Sequence, residues 1–123
     1  MLADEIKTGE SANTEFKVEV PKKSEKYIKS VVAFANTAGG KIILGVDDKT
    51  HEIVGVEKDE VFKIMDGITN TISDMCYPQI FPNIGVDTID GKCVIVIEVY
   101  PGASRPYYIK SQGKAKGTYI RVA

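Results

Sequence analysis

The feature that most constrains this chain is an abrupt change of period at residues 36–41. Before it, Ile28, Val31, Val32 and Ala35 recur at three- and four-residue spacing, the apolar stripe of a helix that starts near Ser24. After it, Ile42, Ile43, Leu44 and Val46 make an apolar, largely β-branched run short enough for a buried strand. Gly39 and Gly40 stand between the two and stop the helix. A helix that feeds directly into a buried strand points to helices packed on a sheet.

The flanking segments extend this pattern. After a polar lead-in, residues 14–20 alternate, with Phe16, Val18 and Val20 on one face and Glu15, Lys17 and Glu19 on the other, and Pro21 ends the strand. Residues 47–52 read as a polar turn, and residues 53–56 as a strand that returns along residues 41–46 in a hairpin. Asp59 is placed to cap a second helix, in which Val61, Ile64, Met65, Ile68, Ile72 and Met75 keep the helical period until Pro78 and Pro82 close it. Residues 83–88 and 92–100 flank Asp90-Gly91, the signal for a tight two-residue hairpin turn. Residues 107–110 and 117–122 flank a Gly/Lys-rich loop and read as a second, looser hairpin. The expected class is α+β, with two helices packed on a mixed, largely antiparallel β-sheet.

A length of 123 residues accommodates one domain. An apolar fraction of 43% and a charged fraction of 27% argue against disorder and fibrous classes. Apolar runs are strand-sized, far from the roughly 20 residues of a membrane helix. Residues 1–10 carry Asp4, Glu5 and Glu10 and no apolar core of a secretory signal, so the expected location is cytoplasmic, away from membranes. Cys76 and Cys93 match no disulfide framework or zinc spacing and read as buried thiols. His51 is the only histidine, read as a solvent-facing turn residue, which limits histidine-based chemistry to one side chain. The net charge of -1 conceals a strong asymmetry: residues 45–102 hold four Lys and eleven Asp/Glu, whereas residues 103–123 hold five Lys/Arg and no acid. A local polyanion footprint at the C-terminal end is compatible with that balance, and so is a solvated basic strand.

Several stretches resemble one family. Glu10-Ser-Ala-Asn-Thr-Glu-Phe-Lys17 is similar to its E-S-x-x-x-E-F-K opening, and Val32-Ala-Phe-Ala-Asn-Thr-Ala-Gly-Gly40 with the following Lys41-Ile-Ile-Leu-Gly-Val-Asp-Asp48 is similar to its central block. Ile53-Val-Gly-Val56 and Gly117-Thr-Tyr-Ile-Arg-Val122 fit in the same order. The chain thereby resembles the Schlafen AlbA-2 domain, found in bacterial transcriptional regulators, in ATP-dependent helicase-like proteins and in vertebrate Schlafen proteins. The resemblance implies a nucleic-acid-binding domain, with DNA or RNA as partner and without catalysis of its own. Such domains commonly close R-V-G, where this chain reads Arg121-Val-Ala123, so the expectation is an N-terminal fragment of a longer protein.

Three constellations are candidates for function. Asn36-Thr37-Ala38-Gly39-Gly40-Lys41 superficially suggests a phosphate loop, but its glycines follow a helix and precede a strand, where the dipole has the wrong sign for anions. Asn36 and Thr37 are expected to bond the turn or to face a ligand groove, with Asp48 completing the family motif. Glu10, Glu15 and Asp47 are oxygen donors suited to Mg²⁺ or Mn²⁺ if strand pairing unites them. In the vertebrate Schlafen nucleases the matching acids serve metal-dependent RNA cleavage, so the alternative reading makes these three catalytic and metal-binding in an endoribonuclease; Glu15 beside Lys17 also reads as a paired surface charge. The third constellation is basic and aromatic: Arg105, Tyr107, Tyr108, Lys110, Lys114, Lys116, Tyr119 and Arg121, extended by Lys22, Lys23, Lys26 and Lys29. Stacking rings among cations are how sequence-tolerant single-strand binders gain affinity. A further alternative is a homodimer formed through an exposed sheet edge.

Overall fold

The structure, a computed structural model, describes residues 1–122. The lead-in expected to be merely polar forms a short helix, α1 (Leu2–Thr8), with Ile6 buried. Next comes β1 (Thr14–Lys17), then α2 (Glu25–Ala35), which carries the chain over to β2 (Gly40–Leu44). β1 and β2 are parallel, Thr14 facing Lys41 and Lys17 facing Leu44. Parallel neighbours need such a crossover, and the helical stripe of α2 supplies one that covers the sheet it connects.

A 3₁₀ turn (Lys58–Glu60) leads into α3 (Val61–Met75), which runs directly into the two-residue β3 (Cys76–Tyr77). β4 (Asn83–Ile89) and β5 (Lys92–Val99) then form the hairpin expected around Asp90-Gly91, both turn residues having positive φ. β6 (Tyr108–Ile109), a 3₁₀ turn (Lys110–Gln112) and the short α4 (Gly113–Gly117) complete the order. The main sheet runs β1-β2-β5-β4, with β2 and β5 antiparallel and central. This is the mixed, largely antiparallel α+β architecture expected from the sequence.

Each face of the sheet is covered. On one, Ile28, Val31, Val32, Phe34 and Ala35 of α2 and Ile68 and Ile72 of α3 pack on Ile42, Leu44, Ile95, Ile97 and Val99. On the other, Ile6 of α1 joins Phe16, Ile43, Val46 and Val94. Phe34, with none of its surface exposed, anchors the larger core; emptying such a site typically costs about 3–5 kcal/mol.

Several local expectations are corrected. The 41–46 run finds its antiparallel partner in β5, whereas residues 53–56 make only isolated bridges, Val46 to Ile53 and Val56 to Cys93. At Gly45, φ +100 turns the chain off the ladder, and its carbonyl accepts from both Val54 N and Gly55 N. The second hairpin is absent: Tyr108 and Ile109 pair with Tyr77 and Cys76, and residues 111–117 curl into short helical turns that take the basic loop away from any strand. β1 stops at Lys17, after which the chain bends so that Val20 reaches the larger core while Phe16 serves the smaller one. Ser24 begins α2 without a side-chain cap, and Asp59 lies in the 3₁₀ turn ahead of α3. His51, with φ 62, turns its ring edgewise onto Phe16 at 5.4 Å and is half-buried instead of solvent-facing.

Cys76 is buried as expected, while Cys93 is only half-buried. Burial pushes the Cys76 thiol up to about 12, with the Lys110 charge pulling modestly the other way. Reagents that attack thiolates will therefore label Cys93 in the native protein and reach Cys76 only after unfolding, which mass spectrometry before and after denaturant reads directly. An unfolded Cys76 ionises near its ordinary value of 9.0 and the folded one does not, so stability present below pH 9 is lost as pH rises toward 12. Tyr27, raised chiefly by burial, acts in the same direction.

Candidate functional site

The Gly39-Gly40 junction sets the positions around it. Gly39 has φ +80, and a Cβ there would lie 2.7 Å from the Val99 carbonyl oxygen; at Gly40 it would run into the Phe34 ring and the Asn13 carbonyl. The chain can leave α2 and enter β2 this abruptly only because neither position carries a side chain. Thr37 bonds back to Ala33 O at 2.7 Å, a local role. Asn36 reaches much further: its amide nitrogen donates to Tyr107 O and Tyr119 O, both at 2.9 Å, and its side-chain oxygen accepts from Tyr107 N at 2.7 Å. The asparagine of the central motif thus ties the C-terminal segment to the end of α2.

The three acids are each engaged separately. Glu10 accepts from Phe16 N at 2.7 Å. Glu15 is pinned under α2 by the Ser30 hydroxyl at 2.9 Å, by Arg121 Nη1 at 2.8 Å and by Lys17 at 3.5 Å. Asp47 closes its own turn, accepting from Lys49 N and Thr50 N; those bonds, Thr50 first, hold its carboxyl below the usual value. Asp48 is exposed beside it. Among the described residues no three His, Cys, Asp or Glu side chains are grouped to hold a metal ion, so these acids do not fit a shared Mg²⁺ or Mn²⁺. Sequence spacing suggested convergence because β1 and β2 pair, but two of the three carboxylates satisfy main-chain donors of their own segments.

The basic and aromatic residues divide into two groups. Arg121 is built into the fold: Nε donates to Ala12 O, Nη2 to Ser11 O, Nη1 to Glu15, and the guanidinium lies 4.9 Å from the Phe34 ring centre. Tyr107 is buried, its hydroxyl accepting from Ser104 N. Arg105 donates to Gly102 O at the Asn36 end of α2, about 15 Å of helix away from Lys26.

At the opposite end of α2 the remaining cations gather. Lys22, Lys23, Lys26 and Lys29 are exposed, and three of them, Lys23, Lys26 and Lys29, line an open groove of about 510 Å³ with Ser24, Glu25 and Met75. The C-terminal segment adjoins it. Gln112 donates to Glu25 at 2.7 Å and accepts from the Tyr119 hydroxyl at 2.8 Å, and Lys29 Nζ sits 5.6 Å from the centre of the Tyr119 ring. Lys110 follows Ile109, which pairs with Cys76 next to Met75, and Lys114 and Lys116 project from α4 into solvent. Two residues escaped the sequence reading. Gln112 carries no charge, yet it engages the one acid of the groove; Tyr77, a single aromatic before a proline, is 53% exposed against Tyr108.

A βαβ crossover with an antiparallel hairpin on its open side sets the class of the fold. The family model described as Schlafen, AlbA_2 matches residues 10–123, and the chain belongs to that family. Among solved structures, it is similar to the N-terminal domain of a Nitrosomonas europaea protein whose name relates it to the ATP-dependent DNA helicase RecG. The TM-score is 0.71 and the identity 28%, over 99% of this chain and 86% of that one. A Corynebacterium diphtheriae protein shares the fold with a TM-score of 0.67 at 21% identity; the match covers 98% of this chain and 27% of that one. Among the described residues no helix is long and apolar enough to cross a membrane.

Replacing Asn36 by Ala leaves three main-chain groups without their partner, and such groups cost about 1–3 kcal/mol each when shielded from water. Because Asn36 is partly exposed, Asn36→Ala is expected to lower stability by about 2–3 kcal/mol in urea unfolding and to loosen residues 107–119 first in hydrogen exchange.

Proposed function

We propose that this chain is a nucleic-acid-binding domain, with DNA as the expected ligand, that grips the phosphate backbone along the lysine groove at the start of α2. The observation that carries this reading is the meeting of cations from two distant parts of the sequence. Lys23, Lys26 and Lys29 share a groove, and the 110–119 segment, bearing Lys110, Lys114 and Lys116, is bonded against the same helix. Among the described residues the one acid lining the groove, Glu25, is engaged by Gln112, and the positive end of the α2 dipole lies among these lysines. Family membership and the likeness to a domain of a helicase-named protein support the same reading. Within a transcriptional regulator or a helicase-like protein of the cytoplasm, such a domain would bring the remainder to its nucleic acid.

Backbone contacts release counterions, so affinity falls with salt at a slope of about −0.9 per phosphate neutralised on B-DNA. Wild-type protein titrated with a short duplex from about 50 to about 200 mM salt is expected to weaken steeply. Lys26→Ala and Lys29→Ala should each flatten the slope by about 1. Binding that is absent at low salt from both this duplex and a single strand of equal length, or indifferent to salt, rejects the reading.

A specific observation also favours self-association. β4 ends the main sheet, and its seven residues contain neither Lys nor Pro, the residues that usually guard an edge. Antiparallel pairing of two β4 strands about Val86 sets Ile84 against Thr88 and opposes no like charges. Beside this edge, Phe62 and Val86 are exposed and line one shallow depression. Light scattering over a dilution series should show a reversible dimer in wild type and a monomer in Val86→Lys. A wild-type monomer throughout would end this second reading.

A further inference from the structure

β3 and β6 make a ladder of only two residue pairs, Cys76 with Ile109 and Tyr77 with Tyr108. Side chains alternate along a strand, so the buried Cys76 and Ile109 commit Tyr77 and Tyr108 to the opposite, outward face. There the two rings meet edge to face, with centroids 5.7 Å apart at 62°. Tyr108 is half-buried and holds its neighbour; Tyr77 keeps 53% of its surface in solvent. An exposed aromatic ring is ordinary in isolation. This one is braced by a second ring. It is two residues beyond Met75, which lines the groove with Lys23, Lys26 and Lys29, and it shares its small sheet with the strand that leads into Lys110.

We infer that Tyr77, held by Tyr108, is a stacking platform for one unpaired base, and that the lysine groove therefore takes single-stranded nucleic acid in preference to duplex. The inference rests on the nucleic-acid reading above and deepens it. In a duplex each base is already stacked on its neighbours and its face is closed to the protein. A single strand can splay a base outward while its phosphates continue along the lysines. Stacking is tolerant of base identity, so the site selects strandedness and not sequence. Tyr77 is a binding residue here and has no part in chemistry.

The chain contains six tyrosines and no tryptophan, so a base stacking on Tyr77 is visible as quenching of tyrosine emission. The test compares an oligothymidylate with a duplex of equal length, by anisotropy of the labelled nucleic acid and by tyrosine emission. It uses wild type, Tyr77→Ala, Tyr77→Phe and Tyr77→Leu, each checked for folding by circular dichroism. Wild type should bind the single strand more tightly. Tyr77→Ala and Tyr77→Leu should weaken single-strand binding about tenfold, within the range of one lost stack, and lose part of the quenching. Both should leave duplex binding unchanged, and Tyr77→Phe should bind as wild type does. Equal single-strand affinity in wild type and Tyr77→Leu overturns the platform while leaving the lysine reading intact. Parallel loss of single-strand and duplex binding also overturns it, since that marks a structural effect. If wild type binds neither ligand, the underlying reading falls together with it.

Discussion

The side-chain amide of Asn36 holds main-chain groups from Tyr107 and Tyr119, 71 and 83 residues further along the chain, against the end of α2. Residues 117–122 belong to no strand, so their position comes from side chains instead of a ladder. Asn36 is one such anchor and Arg121 is the other, gripping Ser11, Ala12 and Glu15 while covering the Phe34 ring. Together with the Gln112 bond to Glu25 and the Lys29 contact with the Tyr119 ring, these attachments set the C-terminal segment against α2. The relation between these distant segments thus rests on polar side-chain contacts as well as on the apolar core beneath them.

Charge is sorted by the fold in a way that net charge conceals. The acid-rich middle of the sequence supplies the Asp47 turn, the approach to α3 and the β4–β5 hairpin, while the lysines of α2 and the C-terminal segment meet elsewhere. Near neutrality overall therefore coexists with a patch of one sign, and solvent screening confines each to its own neighbourhood within about 10 Å at ordinary salt. Glu15, central to a motif that reads as catalytic, pairs with both Arg121 and Lys17 inside the domain, so that part of the motif has a structural task in this arrangement.

Elements governed by local physics were legible in the sequence. The stripes of α2 and α3 announced themselves by period, and Asp90-Gly91 fixed a hairpin because few residues tolerate its backbone angles. Pairings chosen by competition were not. The 41–46 run carries no mark of its partner, and the eight-residue β5, buried on the side that meets α2, displaced the nearby 53–56 segment. A contact as short as Tyr77 with Tyr108 has no periodic signature at all, and α1 has only Leu2 and Ile6 to show an apolar side. For the site, lysine-rich stretches were visible as composition, whereas their meeting depends on Gln112 and Asn36, whose uncharged amides give no compositional signal.

The grip of Arg121 on residues 11, 12 and 15 spans more than a hundred positions of the chain. During synthesis the half-buried Glu15 carboxylate of β1 lacks its guanidinium partner until more than a hundred further residues have been made. Closing so long a loop carries an entropic cost that local contacts do not offset, so this attachment of β1 is expected to form after its pairing with β2.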